Sequence, residues 1–361
     1  MRVGHSRCSD YWVGLIGDKT VADSAWSNDV LGWSKEGLVR ERGTVLVTSR
    51  SFSSGFRDLV GELRAAHLEV VRGPPTHDLE ALRHPLATAV AWIAGTGPVT
   101  DRHLAEAPRL RVVARYGVGV EAVDLGAATA RGVVVTNTPG ANSAAVAEHA
   151  LALLLACLRD VVAGDRRARA GDWTVRRGRE LGSLTVGVLG FGQIGQGLAR
   201  RLAGFGANVL VHDPYVLAET IRSTGAQPVA ADELPSRCDA VSLNAPGGCR
   251  VVDVAWLERA RPGLIIVNTA RADLVDEHAA AEALRDGRIG GYAADVLDTE
   301  TAGGTSPLLA GDLADLVVIT PHAGAQTVEA VDRMGSAATA DVLAVLGGTA
   351  PAHPVEPPEQ R

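Results

Sequence analysis

The chain has 361 residues, 46% of them hydrophobic but only 4% aromatic, with 41 glycines and a formal net charge of −7 at pH 7. That length suits two cores, since domains run to roughly 100–200 residues, and the small aliphatic content excludes disorder on a large scale. The negative balance argues against a general polyanion binder, so no nucleic-acid partner is expected.

Residues 1–43 hold three of the six tryptophans and show no clear period. They read as an N-terminal extension, either a disordered arm or added sequence. Within it YWVGLIG, Tyr11 to Gly17, is too short to span a membrane and is closed by Asp18 and Lys19. No export signal and no membrane segment are expected. The four cysteines, Cys8, Cys157, Cys238 and Cys249, form no CxxC pair, which fits a reducing cytoplasm.

From Thr44 onward short β-branched runs alternate with helical stretches: TVLVTS, LEVVRG, VAWIAG, LRVVARYG, GVVVTN. Near-continuous apolar strands of this kind are covered on both faces, so 44–142 reads as a five-stranded parallel α/β unit. NSAAVAEHALALLLACLRDVV follows, apolar on more than one face, and predicts a buried connecting helix. A second alternating series, LTVGVLG, NVLVHD, DAVSLNAP, LIIVNTAR, GGYAADV and LVVITPH, makes 143–324 a nucleotide-binding unit. Residues 325–350 read as a C-terminal helix and 351–361 as a tail.

Ligands of open parallel sheets bind beyond the carboxyl ends of the strands. The residues in that place are Gly190, Asp213, Asn244, Arg271, Asp295 and His322. All six are expected along one edge of one sheet.

GVLGFGQIGQG sets Gly190, Gly192 and Gly195 in GxGxxG spacing after a strand, with Gln193 and Ile194 opening the helix. The glycines allow a tight turn, backbone approach to a pyrophosphate and close helix packing. Asp213 ends the next strand, where a carboxylate accepts from both ribose hydroxyls and repels a 2′-phosphate. Pro214 and Tyr215 add no arginine, so NAD is favoured over NADP.

An always-charged guanidinium at a strand end calls for an anion, and Arg271 stands in such a place. Hydride transfer to a carbonyl needs a proton donor for the developing alkoxide and a cation for an attached carboxylate. His322 and Arg271 meet those needs, and Glu300 is suited to orient the imidazole and raise its pKa.

These residues lie in motifs that resemble the D-isomer-specific 2-hydroxyacid dehydrogenase family: ARYGVGVEAVD (114–124), TNTPGANSAAVAEHALALLL (136–155), GFGQIG, NTARADLVDE (268–277), DVLDTE (295–300) and TPHAG (320–324). The resemblance runs from about Val45 to Gly347 and leans toward phosphoglycerate-dehydrogenase-like members. It implies an α/β fold of two Rossmann-like doubly wound parallel-sheet domains, with the active site in the interdomain cleft and the C-terminal helix returning to the first domain. It further implies that Arg271 binds the substrate carboxylate and carbonyl, that Glu300 pairs with His322, and that His322 is the acid/base. The backbone of Tyr116, Gly117, Val118 and Gly119 would cradle the carboxylate. Further cofactor contacts are expected from Val146, Asn244, Ala245, Thr269, Ala270 and Asp295.

Two departures from the family pattern stand out. Ala272 follows the arginine where glycine is common, a change that matters if that position needs a positive φ. The loop SLNAPGGCR carries Asn244 where histidine is common and Gly247-Gly248 where leucine and threonine are usual.

The expected activity is NAD-dependent interconversion of a D-2-hydroxy acid and its 2-keto acid, with a phosphoglycerate- or hydroxypyruvate-like substrate. Arg50 and Arg115 are extra cations that would suit a second anionic group or stand as solvated side chains. The chain stops soon after His322, so serine feedback is not expected. The resemblance implies a homodimer. A second class is a dinucleotide-sensing corepressor of the same fold, in which the arginines from Arg166 to Arg179 would form the contact surface. Histidine, cysteine and acid spacing gives no metal site.

Overall fold

A computed structural model describes residues 43–299 and 305–356. The extension at 1–42, Glu300 and the last residues of the tail lie outside the described residues. The described residues fall into two compact units, one of Ser143–Ala325, the other ending at Asn142 and resuming at Gln326.

The unit that ends at Asn142 is built on five strands: β1 (Gly43–Val47), β2 (Leu68–Arg72), β3 (Ala89–Ala94), β4 (Val112–Arg115) and β5 (Val134–Thr136). All pair in parallel, in the order β2-β1-β3-β4-β5. β3 reads AVAWIA and every residue of it is buried, as a central strand covered on both faces requires. Helices α1 (Leu59–Ala65), α2 (Leu79–Thr88), α3 (Asp101–Ala105) and α4 (Leu125–Ala130) make the crossovers. Asp58, Asp78 and Asp124 each accept a backbone N–H at the start of α1, α2 and α4, supplying a partner the first turn lacks.

The nucleotide-type unit opens with α5 (Ser143–Leu158) and α6 (Val161–Arg169). The apolar run expected to form one helix breaks here, because Asp160 takes a left-handed φ of 53° between them. Ala147, Ala150, Leu153, Leu154 and Leu158 of α5 join the core on one face of the sheet. Burying those three leucines contributes roughly 5–9 kcal/mol before the entropy of ordering them.

Seven parallel strands follow: β6 (Thr185–Leu189), β7 (Asn208–His212), β8 (Gln227–Pro228), β9 (Ala240–Leu243), β10 (Leu264–Asn268), β11 (Ile289–Ala294) and β12 (Val317–Ile319). Their order is β12-β11-β10-β9-β6-β7-β8, a doubly wound sheet that reverses direction between β6 and β9. β8 has no counterpart in the sequence reading: it is two residues long, ends in proline and occupies the edge, where the missing N–H costs least. Helices α7 (Gln193–Gly204), α8 (Ala218–Ser223), α9 (Leu234–Arg237), α10 (Val254–Glu258) and α11 (Glu277–Arg285) connect the strands.

After Gln326 the chain rejoins the first unit through α12 (Val328–Leu346). Val331, Met334, Ala338, Val342 and Val345 of α12 are buried, and the Tyr116 hydroxyl donates to the Val331 carbonyl at 3.1 Å. Val355 N–H then donates to Val135 O at 2.8 Å, closing the end of the chain on β5.

Candidate active site

Register sets the stage for the site. Leu189 lies level with His212 and Leu243, Asn268 with Leu243 and Ala294, and Ala294 with Ile319. The next residue of each strand therefore forms a single row: Asp213, Gly190, Asn244, Thr269, Asp295, Thr320. Arg271 and His322 each stand two residues beyond that row. Two strand spacings of about 4.8 Å separate their strands, with Asp295 on the one between.

At the reversal between β6 and β9 the loops nearly touch. Gly190 has φ 92°, and a β-carbon there would sit 2.7 Å from the carbonyl of Asn244. A β-carbon on Gly195 would sit 2.1 Å from the Gly190 oxygen, so the helix can start this close to the strand only with glycine. Gly192 is open, with nothing within 4 Å of where its side chain would be, and it leads into Gln193 and Ile194 at the start of α7. The free N–H groups and dipole of that helix end favour an anion. Asp213 accepts from Phe191 N–H at 2.7 Å and from Tyr215 N–H at 2.8 Å, which fixes its carboxylate beside the loop.

Further along the row, Asn244 gives its amide to the carbonyl and hydroxyl of Ser242, while its oxygen is buried without a protein partner. Thr269 likewise has a buried hydroxyl without a partner. Buried polar atoms normally find one, so two orphans in this row suit a bound polar ligand. Ala245, 4% exposed, backs the same place. Glycine cradle, anchored acid and orphaned atoms together fit a dinucleotide.

Arg271 is half-buried, after a β10 whose five residues are all buried. Asn268 ties down its loop, donating to the Arg271 carbonyl at 2.8 Å and accepting from Ala270 N–H at 3.1 Å. The arginine Nη1 donates to the Ala270 carbonyl at 2.8 Å. Ala272 opens a short 3-10 turn over Ala272–Leu274 and does not adopt positive φ, so the alanine departure carries no backbone strain. The Gly247-Gly248 departure acts locally: Gly248 N–H donates to the Asp273 carboxylate at 2.6 Å, joining the β9 loop to the Arg271 loop.

His322 is exposed and takes φ 53°. Its N–H donates to the carbonyls of Asp295 and Thr320, both at 3.0 Å. The Asp295 carboxylate is 3% exposed and accepts from the Thr320 hydroxyl at 2.5 Å and from the amides of Ala323 and Gly324 at 2.7 and 2.8 Å. His149 Nε2, on α5, is 2.8 Å from the Thr320 hydroxyl and 3.3 Å from Asp295. Burial pushes the Asp295 carboxyl up, but these donors, His149 first, outweigh it and hold the group below its ordinary value. Val146, expected at the cofactor, packs one helical turn before His149 and is 7% exposed. His149 and Thr320 were not singled out from sequence; the available signal was an ionisable residue inside an apolar helix. Glu300 lies outside the described residues.

In the other unit, Arg50 is exposed in the turn after β1. Arg115 is 8% exposed and its Nη1 donates to the carbonyls of Ala94 and Tyr116. Its guanidinium therefore braces the start of the Tyr116–Gly119 loop, and its burial does not match the reading of a solvated side chain. Tyr116 is buried, which pushes its phenol up to about 12. Gly117 takes φ 145°, Asn137 Nδ2 donates to the carbonyl of Val118 at 2.8 Å, and Gly119 ends the loop half-buried.

Five of the six arginines of 166–179 have a carboxylate partner within their own unit. Arg166, Arg167 and Arg176 meet Asp315, Arg169 meets Asp165 and Arg179 meets Asp239. Such pairing gives the corepressor reading no support. Among the described residues no His, Cys, Asp and Glu cluster suits a metal, and no helix is long and apolar enough to cross a membrane. Cys157 and Cys238 are free thiols that burial pushes up to about 12.

Residues 151–324 match the family model for the D-isomer specific 2-hydroxyacid dehydrogenase, NAD binding domain. The chain belongs to the D-isomer specific 2-hydroxyacid dehydrogenase family. It is 44% identical over 284 residues to the D-3-phosphoglycerate dehydrogenase of Mycobacterium tuberculosis, covering 77% of this chain and 52% of that one. The Mycobacterium leprae protein of the same name is 44% identical over 250 residues, 68% of this chain and 47% of that one. This family member thus spans about half the length of the curated relatives it matches. The TT0316 protein from Thermus thermophilus superposes with a TM-score of 0.77 at 36% identity, over 87% of this chain and 100% of that chain. Within the 2-hydroxyacid dehydrogenases the chain falls in the phosphoglycerate-dehydrogenase-like branch.

Proposed function

We propose that the protein is an NAD-dependent dehydrogenase that interconverts a D-2-hydroxy acid and its 2-keto acid, with a phosphoglycerate- or hydroxypyruvate-like substrate. The observation that carries this reading is the row of strand ends with the glycine loop and Asp213 on one side and Arg271 and His322 on the other. The name of the mycobacterial relatives supports the substrate class.

In this reading the backbone of Gly190, Gly192, Gln193, Ile194 and Gly195 holds the pyrophosphate and Asp213 accepts from the ribose hydroxyls. The Asn244 oxygen and the Thr269 hydroxyl supply polar contacts for the rest of the cofactor, near Ala245 and Ala270. NAD held there would supply the hydride acceptor, and NADH the hydride donor, for the substrate's second carbon. Arg271 neutralises the substrate carboxylate and polarises its carbonyl. His322 gives a proton to the alkoxide oxygen during reduction and takes it back during oxidation. Glu300 is assigned to hold His322 in its protonated tautomer. The Tyr116–Gly119 backbone is assigned to the carboxylate as well, and Arg50 to a second anionic group.

We further assign the protein to the cytoplasm and to a homodimer. Support for the dimer comes from exposed apolar side chains in the nucleotide-type unit, among them Trp173 at 81%, Val175 at 89% and Phe205 at 52% exposure. Surface of this kind commonly marks a partner site.

The deciding experiment follows NADH consumption with phosphohydroxypyruvate, hydroxypyruvate, glyoxylate and pyruvate. No consumption with any of them removes the assignment. A His322→Ala variant that keeps NADH binding and loses turnover supports it.

A further inference from the structure

His149 has no part in the reading above, yet its imidazole is bonded into the turn that carries His322. A carboxylate can only accept, so the Thr320 hydroxyl, 2.5 Å from Asp295 Oδ1, must spend its one hydrogen there. Its lone pair is then left to accept, and His149 Nε2 at 2.8 Å is the donor in place. A directed network results: His149 Nε2–H donates to Thr320, Thr320 O–H donates to Asp295, and the amides of Ala323 and Gly324 donate to the same carboxylate.

Those two amides directly follow His322, and the Asp295 carbonyl accepts the His322 N–H itself. The turn needs such restraint, because a non-glycine residue at φ 53° is disfavoured by its own β-carbon. Packing leaves little slack. A β-carbon on Gly324 would stand 2.9 Å from Asp295 Oδ2 and 3.5 Å from His149 Cδ2. The imidazole, 21% exposed, thus joins the long helix α5 to the tip of β12.

We infer that His149 is a positioning residue for His322, acting through Thr320 and Asp295 on the turn over 320–324. This rests on the reading of His322 as acid/base. Displacing a proton-transferring group by about 1 Å costs on the order of 100-fold in rate, so loss of the first donor registers in kcat.

The test compares His149→Phe, which keeps a ring but no donor, with His149→Gln, which returns an N–H near the Nε2 position. Thr320→Val, nearly isosteric, breaks the same network from the middle and serves should the Phe variant fold poorly. Each is assayed with the best of the four 2-oxo acids, titrated with NADH, and followed by hydrogen exchange of the peptide covering 318–325. The expected result for His149→Phe and Thr320→Val is kcat lower by about 10-fold or more, NADH affinity within about 2-fold, and faster exchange at Ala323 and Gly324. His149→Gln restores kcat to within about 3-fold of the parent, and the Phe/Val double variant falls no further than either single one. Unchanged kcat and exchange in His149→Phe, alongside a dead His322→Ala enzyme, overturns the inference and leaves the functional reading standing. Turnover that survives His322→Ala overturns that reading instead, and unaltered exchange in His149→Phe would then overturn the role of His149 in holding the turn.

Discussion

The carboxylate of Asp213 accepts the N–H of Phe191 at 2.7 Å, so the acid that ends β7 is bonded into the glycine loop that ends β6. In the proposed reading, replacing it does two things at once: the ribose loses its acceptor and the loop loses an anchor. Asp213→Ala is expected to weaken NADH binding by about 10- to 100-fold, in line with about 1.5–3 kcal/mol for a hydrogen bond to a charged group. Fluorescence titration measures it, with NADPH as the second ligand. A preference for NADPH in the unaltered protein would contradict the assignment.

Gly195 faces the Gly190 carbonyl with no space for a methyl group. Gly195→Ala must move the start of α7 away from β6, because the obstructing atom is backbone and not a flexible side chain. Overpacking of this sort costs about 1–3 kcal/mol of stability. Urea unfolding is expected to show that loss together with weakened NADH binding, whereas Gly204→Ala, at a site open to solvent, is expected to leave both near the parent values.

His77 makes the five-stranded unit sensitive to acid. It is 2% exposed and lies between the Thr48 hydroxyl and the Pro98 carbonyl, and burial, with charge from His103 and Arg115 adding to it, lowers its pKa to about 4. The folded state thus binds the proton less tightly than the unfolded chain, whose histidine titrates near 6.5. Its contribution is complete above pH 6.5 and is lost as pH falls from 6.5 toward about 4, at ~1.4 kcal/mol per pH unit. Unfolding free energies from urea titrations at pH 7 and pH 5 should differ by about 2 kcal/mol from this group. His77→Gln should reduce the difference; an unchanged pH slope would refute the assignment.

Arg50 and Arg115, equal candidates in the sequence, differ in the fold. Arg50 is exposed, while Arg115 braces two carbonyls from inside. Arg50→Ala is expected to raise KM for phosphohydroxypyruvate by about 10-fold and leave that for pyruvate nearly unchanged, since only the former has a second anion. Arg115→Lys is expected to lower stability by about 1–3 kcal/mol, because the shorter lysine side chain does not carry its ammonium to the place of Nη1 and leaves two buried carbonyls short of a donor. The opposite pattern would exchange their roles.

Strand identity was legible in this sequence because parallel strands covered on both faces must be nearly continuous apolar runs, and LIIVN or AVAWIA admits few other readings. The glycine loop was legible too, since strand, three glycines and a following acid occur within one short segment. What depends on partners far along the chain was not. Nothing local to His149 says that Thr320 and Asp295 will be its neighbours, and Arg115 reads as a free cation until β3 places the Ala94 carbonyl beside it. The β8 edge and the break at Asp160 escaped for the same reason. A two-residue strand or one left-handed residue has almost no pattern of its own, and both are selected by the packing around them. Periodicity records which face of an element is dry; only the assembled sheet decides which polar groups meet along its edge.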